Sequence, residues 1–157
     1  MLLDLPIRGQ VVTGPPNLQW DTCFQLVGIE IPADERDVNT LSLKWLGGNL
    51  ISNDLNEHSP LEARIQHTRR YLRWLIGELL FPNTTRLFVH NSWLYLLMDF
   101  YQTRTYSRGS SVLTFLYRGM CEASHPDKKA LAGCNFLLQV LGYCRLSYIA
   151  SKNENLL

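Results

Sequence analysis

The sequence predicts a mainly α fold, a compact helical domain with three long helices, further short helices and a small N-terminal β-hairpin. Three stretches, near residues 59–81, 108–123 and 129–148, place apolar side chains at helical spacing. The chain has 157 residues, of which 46% are hydrophobic and 18% charged, a balance that excludes a disordered chain. We therefore expect residues 1–157 to form a single domain around one core.

The first elements are expected to be short. In residues 5–14, Ile7 and the run Val11–Thr13 favour strand, and Gly9 between them can supply the positive φ of a hairpin turn. A helix over residues 18–27 follows, with Asn17 as a possible cap. Its inner face would hold Leu18, Cys23 and Leu26, and its end would lie at Gly28.

The next segment is predicted to be irregular. Residues 33–39 are polar and are expected to form a loop, and residues 41–46 one or two helical turns. Gly47-Gly48 is interpreted as a flexible connection.

The clearest element is a long helix from Ser59 to Phe81. The string Ser59-Pro60-Leu61-Glu62 matches a capping box with proline at the first helical position, and Pro82 ends the helix. Gly77 inside it indicates that another element packs closely there. One face is apolar, with Leu61, Ile65, Thr68, Leu72, Leu75, Ile76 and Leu79. The other side carries Gln66, Arg69, Arg70 and Arg73.

The C-terminal half contains the other two long helices. Residues 86–90 can form a short strand or loop, and residues 93–99 a short helix. Ser107 can cap a helix over residues 108–123, and a final helix is predicted over residues 129–148.

Composition excludes several classes of protein. The net charge of +1 gives no global attraction to nucleic acid or anionic membranes, although eleven Arg stand against four Lys. No run reaches the ~18 apolar residues of a membrane span. The first residues do not match a secretory signal, and the four Cys show no paired spacing, so we expect a reducing cytosolic or nuclear location.

No pattern indicates catalysis or a cofactor. Cys121 and His125 share a helix face, but two ligands do not make a structural zinc site. Ser110 lies in Arg-Gly-Ser-Ser rather than a Gly-x-Ser-x-Gly elbow, and the four His are scattered. Gly47-Gly48 lacks the Lys-Ser/Thr ending of a P-loop. The sequence therefore predicts no catalytic residue, no metal and no cofactor.

Arg69, Arg70 and Arg73 form the one concentrated charge feature. A solvated helix face is the ordinary interpretation. The functional alternatives are a protein-binding surface or a contact with phosphate groups, although three Arg alone give weak affinity for nucleic acid.

Three strings carry a family resemblance. They are LPIRGQVVTG at residues 5–14, RYLRWLIGELLFP at residues 70–82, and YSRGSSVL at residues 106–113, which continues through LYRGMC to residue 124. With Gly133-Cys134 and residues 137–139 after them, they resemble the plant mobile domain, also labelled aminotransferase-like.

The resemblance implies a non-catalytic nuclear protein of plants. Members occur in transposable elements and in host proteins of the maintenance-of-meristems type, and they are linked to transposon silencing, gene expression and genome integrity. Some are fused to, or work with, a phosphatase of the protein phosphatase 7 type, which makes such a phosphatase the expected partner. The alternative is a transposon-derived nucleic-acid-binding module that uses Arg69, Arg70 and Arg73. The aminotransferase label transfers no catalytic residue.

The chain departs from the family pattern in three places. The family often has Trp where this chain has Arg108, and it carries an aromatic-rich string where residues 142–146 read GYCRL. Members also have sequence before and after the matched region, so we expect a copy shortened at both ends. The sequence does not specify the oligomeric state.

Overall fold

The computed structural model describes residues 5–13, 18–51, 55–56, 58–128 and 130–145. Most of its regular structure is helical, which confirms the mainly α class. A short 3₁₀ turn at Ala33–Glu35 precedes the first strand. The elements are α1 (Trp20–Val27), β1 (Arg36–Asp37), β2 (Thr40–Ser42), α2 (Leu43–Ile51), α3 (Leu61–Leu75), β3 (Phe88–His90), α4 (Ser92–Leu96), α5 (Phe100–Thr103), α6 (Arg108–Ala123) and α7 (Asn135–Arg145).

The core joins a small sheet to the helices. The three strands are antiparallel in the order β1-β2-β3, with Leu41 paired to Val89. One buried cluster contains Ile31, Leu41, Leu43, Leu46 and Val89, and a second contains Cys23, Val27 and Leu94. Burying large aliphatic side chains of this kind contributes roughly 1.5–3 kcal/mol each.

Helix α3 does not end at Leu75 but continues as a π-helical turn over Ile76–Leu80. Gly77 is buried in this turn, as close packing of another element requires. A Cβ atom at Gly77 would lie 2.7 Å from Leu43 Cδ2 and 2.8 Å from Val89 Cβ, so the sheet and α2 approach the backbone here. The glycine therefore lets the end of α3 contact the first core cluster.

The predicted N-terminal hairpin is wrong. Residues 5–13 contain no strand, and Gln10 makes one isolated parallel bridge to Tyr106. The Gln10 N–H donates to Thr105 O at 2.9 Å, and Ser107 N–H donates to Gln10 O at 2.8 Å. The extended segment therefore finds its hydrogen bonds on the loop before α6 rather than on itself. Gly9 does adopt a positive φ of 143°.

Local capping near α3 also differs from the prediction. The helix begins at Leu61, and its N-cap Pro60 receives no side-chain capping bond. The hydroxyl of Ser59 accepts from Asn56 N–H at 2.9 Å and donates to Asn56 Oδ1, so the predicted capping box with Glu62 does not form. Leu61, placed on the apolar face, is 72% exposed.

Other boundaries are confirmed or shifted. The range of α6 matches the prediction, and Gly28 ends α1 in the left-handed conformation with φ 74°. Gly47-Gly48 is not a connection but part of α2, and α7 begins at Asn135 rather than residue 129. The proposed cap Asn17 and residues 146–148 lie outside the described residues. None of the described helices has the length and apolar content to cross a membrane.

Candidate functional site

Arg73 lies inside the domain. Its relative exposure is 0%, although the sequence placed it on the side of α3 away from the core. Its Nη2 donates to Asn91 Oδ1 and, at 3.5 Å, to Val89 O, while Nε and Nη1 have no hydrogen-bond partner in the described part of the chain. Burial lowers the pKa of Arg73 to about 10. The prediction that Arg73 lies on the side of α3 away from the core is therefore wrong. A partner molecule cannot reach its side chain in this conformation.

Arg69 is held by backbone acceptors. Its Nε donates to Leu97 O at 3.1 Å and its Nη2 to Met98 O at 2.9 Å, so it joins α3 to the loop after α4. Its Nη1 also lies 3.7 Å from Glu62 Oε1, and only 12% of the side chain is exposed. The guanidinium stands over the Phe100 ring, 5.7 Å from its centroid. These contacts hold the Arg69 guanidinium against the domain.

Arg70 lines an open cleft of about 440 Å³ between α3 and the segment after α1. Burial lowers its pKa, and its Nε is buried with no hydrogen-bond partner among the described residues. Nε2 of His67, one turn earlier in α3, is also buried with no hydrogen-bond partner among the described residues. Of the three predicted Arg, Arg70 is the one whose guanidinium has no hydrogen bond described by the structure.

The groups considered for catalysis are separated. In the part of the chain that the structure describes, no three His, Cys, Asp or Glu side chains are grouped to hold a metal ion. Cys23 and Cys134 are buried free thiols, and burial raises the pKa of Cys23. Ser110 Oγ donates to Ile7 O at 2.8 Å, so its hydroxyl attaches the N-terminal segment to α6.

A larger groove lies between the N-terminal segment and α6, with a volume of about 590 Å³. Its floor is aromatic. The Phe81 ring stacks on Trp93 with centroids 4.2 Å apart, and meets Phe115 edge-on at 5.4 Å. Offset and edge-to-face pairs are favourable arrangements for aromatic rings. We call this feature the aromatic groove; its other lining residues are Gly9, Val11, Val12, Ser107, Ser110, Ser111, Thr114 and Arg118.

The hydroxyl groups around the aromatic groove are already bonded to backbone carbonyls. Ser107 Oγ donates to Ile7 O, Ser111 Oγ to Ser107 O at 3.2 Å, and Thr114 Oγ1 to Ser110 O at 2.8 Å. Because these donors are used, the groove presents mainly carbon atoms to a ligand. Such a surface suits an apolar side chain better than a charged group.

The sequence profile of the plant mobile domain matches residues 1–156. The chain belongs to the plant mobile domain family. It is 29% identical over 150 residues to Protein MAINTENANCE OF MERISTEMS of Arabidopsis thaliana, a match that covers 94% of this chain and 31% of that protein. It is 31% identical to Protein MAIN-LIKE 1 of the same plant over 151 residues, 93% of this chain and 29% of that protein.

A third relative is the Serine/threonine-protein phosphatase 7 long form homolog of Arabidopsis thaliana. It is 31% identical over 148 residues, which cover 93% of this chain and 11% of that protein. The chain thus spans less than a third of the length of each of these relatives. No solved structure matches it.

In this plant mobile domain, the three strings that carry the family resemblance meet at the aromatic groove. Residues 5–14 contribute Gly9, Val11 and Val12, residues 70–82 contribute Phe81, and residues 106–124 contribute the lining residues of α6. The sequence prediction used Phe81 as a helix end and within a family string, and it did not select Phe81, Trp93 or Phe115 as site residues. No local signal identifies them, because the groove forms only when the N-terminal segment meets α6, from which Ile7 is separated by 100 residues at Ser107 and 103 at Ser110.

Helix α7 of this plant mobile domain carries exposed apolar side chains. None of its residues, Asn135–Arg145, is buried. Phe136 is 44%, Leu141 55% and Tyr143 60% exposed. Phe136 and Tyr143 lie on one side of the helix and Leu141 on another, so the three do not form one continuous patch.

Proposed function

We propose that this plant mobile domain is a non-catalytic protein-interaction domain of the nucleus that docks a partner in the aromatic groove. The observation that carries the proposal is the convergence of the three family strings on one apolar groove. An apolar groove with bonded hydroxyls provides a pocket for an apolar anchor residue of a partner, and buried anchors of this kind dominate binding energy.

The partner we propose is a phosphatase of the protein phosphatase 7 type. With this partner, the domain would act in transposon silencing, gene expression and genome integrity in dividing cells. The names of two relatives support this. One relative is named a phosphatase 7 long form homolog, and another is named for the maintenance of meristems. The nuclear location follows from the family resemblance and is part of the same proposal.

The proposal is tested by purification from plant nuclei. The tagged chain is compared with the double variant Val11→Asp/Thr114→Glu, which puts two negative charges into the groove. Val11 is 75% exposed and Thr114 is exposed, so both changes should leave folding intact.

The matched control is Val38→Asp/Thr68→Glu on another surface. Val38 is 79% exposed, and Thr68 Oγ1 donates to the carbonyl four residues earlier at 2.8 Å, as Thr114 Oγ1 does. The wild type and the control should recover a phosphatase 7-type protein, while the groove variant should lose it. Recovery of no phosphatase or chromatin protein by the wild type, or equal recovery by the groove variant, would overturn the proposal.

A further inference from the structure

A second, more enclosed cavity lies beside the aromatic groove and shares the wall of Val12, Phe81 and Trp93 with it. Its volume is about 140 Å³. The remaining apolar lining comes from α3, its π-helical turn, α4 and the first residues of the chain: Leu5, Leu72, Leu75, Ile76, Leu80, Leu96 and Leu97. An apolar cavity of about 150 Å³ stays dry and takes up benzene, so this one has room for a single aromatic ring.

The polar side chains of the cavity wall are those of Thr103, Tyr106 and Arg108. Thr103 Oγ1 lies within hydrogen-bonding distance of both Leu96 O and Asp99 O, so its single hydrogen has an acceptor. Arg108, by contrast, lines the cavity with a buried Nε that has no hydrogen-bond partner in the described part of the chain.

The backbone beside the guanidinium of Arg108 is also bonded. Arg108 N–H donates to Tyr106 O and Gly109 N–H to Pro6 O, both at 2.9 Å. The N–H groups of Arg108 and Gly109 are therefore not free to hold an anion. The Arg108 side chain is the cationic group that remains.

We propose that this cavity binds a small carboxylate whose body is a single ring or a short branched alkyl group, with the carboxylate paired to Arg108. The apolar lining accounts for the body, and the planar guanidinium fits a carboxylate through two parallel hydrogen bonds. A phosphate is a poorer fit because it brings a second charge and more oxygens into a site whose one cationic group is Arg108. Water is a poorer occupant too, since it needs two to four polar partners.

The test uses the purified full chain and two ligands of the same shape. Phenylacetate carries the charge, and phenylacetamide is its neutral counterpart. Both are titrated by calorimetry, and methyl NMR of the Leu and Val residues locates the ligand. We expect phenylacetate to bind more tightly and to shift the methyl signals of Leu72 and Leu96, which line the cavity.

Two variants and a control identify the parts of the site. Arg108→Met keeps the volume but removes the charge, so phenylacetate should bind about 10- to 100-fold more weakly and match phenylacetamide. Arg104→Met removes a charge from an exposed residue outside the cavity and should bind as the wild type does. Leu96→Phe places a ring in the cavity and should block both ligands.

Three results would overturn the proposal. Equal affinity for the acid and the amide would remove the role of the carboxylate. Methyl shifts confined to Val11, in the aromatic groove, would place the ligand elsewhere. No binding at millimolar concentration, together with a higher melting temperature for Leu96→Phe, would make the cavity a packing void. If Leu96→Phe does not fold, the phenylacetate affinities of Arg108→Met and Arg104→Met still test the proposal, because equal affinities would show that Arg108 does not bind the carboxylate.

Discussion

Arg73 of α3 donates its Nη2 hydrogen to the side-chain oxygen of Asn91, and both side chains are fully buried. The two residues are 18 apart in sequence and join α3 to the end of β3. No carboxylate among the described residues forms an ion pair with Arg73, so a neutral amide and the Val89 carbonyl stabilise this cation. The arginine therefore belongs to the core rather than to a binding surface.

The first prediction concerns this pair. Asn91→Leu leaves the buried cation without its main acceptor, and we expect the free energy of unfolding to fall by about 1.5–3 kcal/mol. Arg73→Met removes the charge and fills similar volume, so the protein should keep more of its stability, and the double variant should be more stable than Asn91→Leu alone. Urea unfolding of the four proteins measures the coupling. Strictly additive losses would contradict the direct contact.

The second prediction concerns Gly77. Gly77→Ala drives a methyl group against Leu43 and Val89, and overpacking of this kind destabilises by about 1–3 kcal/mol. Gly48→Ala is the matched control inside α2, because its Cβ atom meets no other atom within 4 Å. Helix propensity should make that variant more stable by about 0.5–1 kcal/mol. Thermal unfolding measures both, and a Gly77→Ala protein as stable as the wild type would show that α3 does not pack this closely.

The third prediction concerns pH. His90 Nδ1 accepts from Ser92 N–H at 3.2 Å, and burial together with the nearby charge of Arg73 lowers the pKa of His90. Below its ordinary pKa of about 6.5, the unfolded chain therefore binds a proton that the folded chain resists. Stability should fall as the pH drops through this value, until the folded pKa is passed.

His90→Asn tests that pH dependence, because the Asn side-chain oxygen can still accept from Ser92 N–H. The stability of the variant, measured as its urea midpoint, should fall less between pH 7 and pH 5 than the stability of the wild type. A profile unchanged from that of the wild type would show that His90 is not the source of the pH dependence.

The fourth prediction separates the arginine surface from nucleic-acid binding. Arg69 is bonded to two backbone carbonyls and Arg73 is buried, so neither can neutralise a phosphate. We expect Arg69→Gln to leave the salt dependence of any DNA binding unchanged, because each lost phosphate contact would reduce the slope of log K against log salt by about 0.9. A slope reduced by about 0.9 for Arg69→Gln in a salt-titrated binding assay would restore the nucleic-acid alternative.

Local signals explain which parts of the fold were predictable. Helix α6 was predicted with its observed range because the apolar stripe beginning at Val112 is a local signal. Ser107 is the N-cap residue, but the predicted side-chain capping bond does not form, since its hydroxyl donates to Ile7 O. Gly28, which ends α1, is also a local signal. The periodic pattern of α3 was also recognised, although its true end is a π-helical turn that depends on contact with Leu43 and Val89.

Tertiary contacts explain the errors. An Arg in a helical periodic pattern is assigned to the solvent-facing side of the helix. Arg73 faces inward because it bonds to Asn91, which lies 18 residues away in the sequence. The strand propensity of Val11 and Val12 predicted a hairpin, but the backbone partner of this segment is the loop at Tyr106. Gly47 was taken as a break, whereas it packs against Trp74, whose Nε1 would lie 3.0 Å from an added Cβ.

The most direct test of docking in the aromatic groove is hydrogen–deuterium exchange of the chain alone and mixed with the proposed partner, a phosphatase of the protein phosphatase 7 type. If the aromatic groove is the docking surface, exchange should slow in residues 9–13 and 107–118, and it should not change in residues 62–73 on α3. Slower exchange confined to residues 62–73, or to α7, with residues 107–118 unaffected, would contradict it.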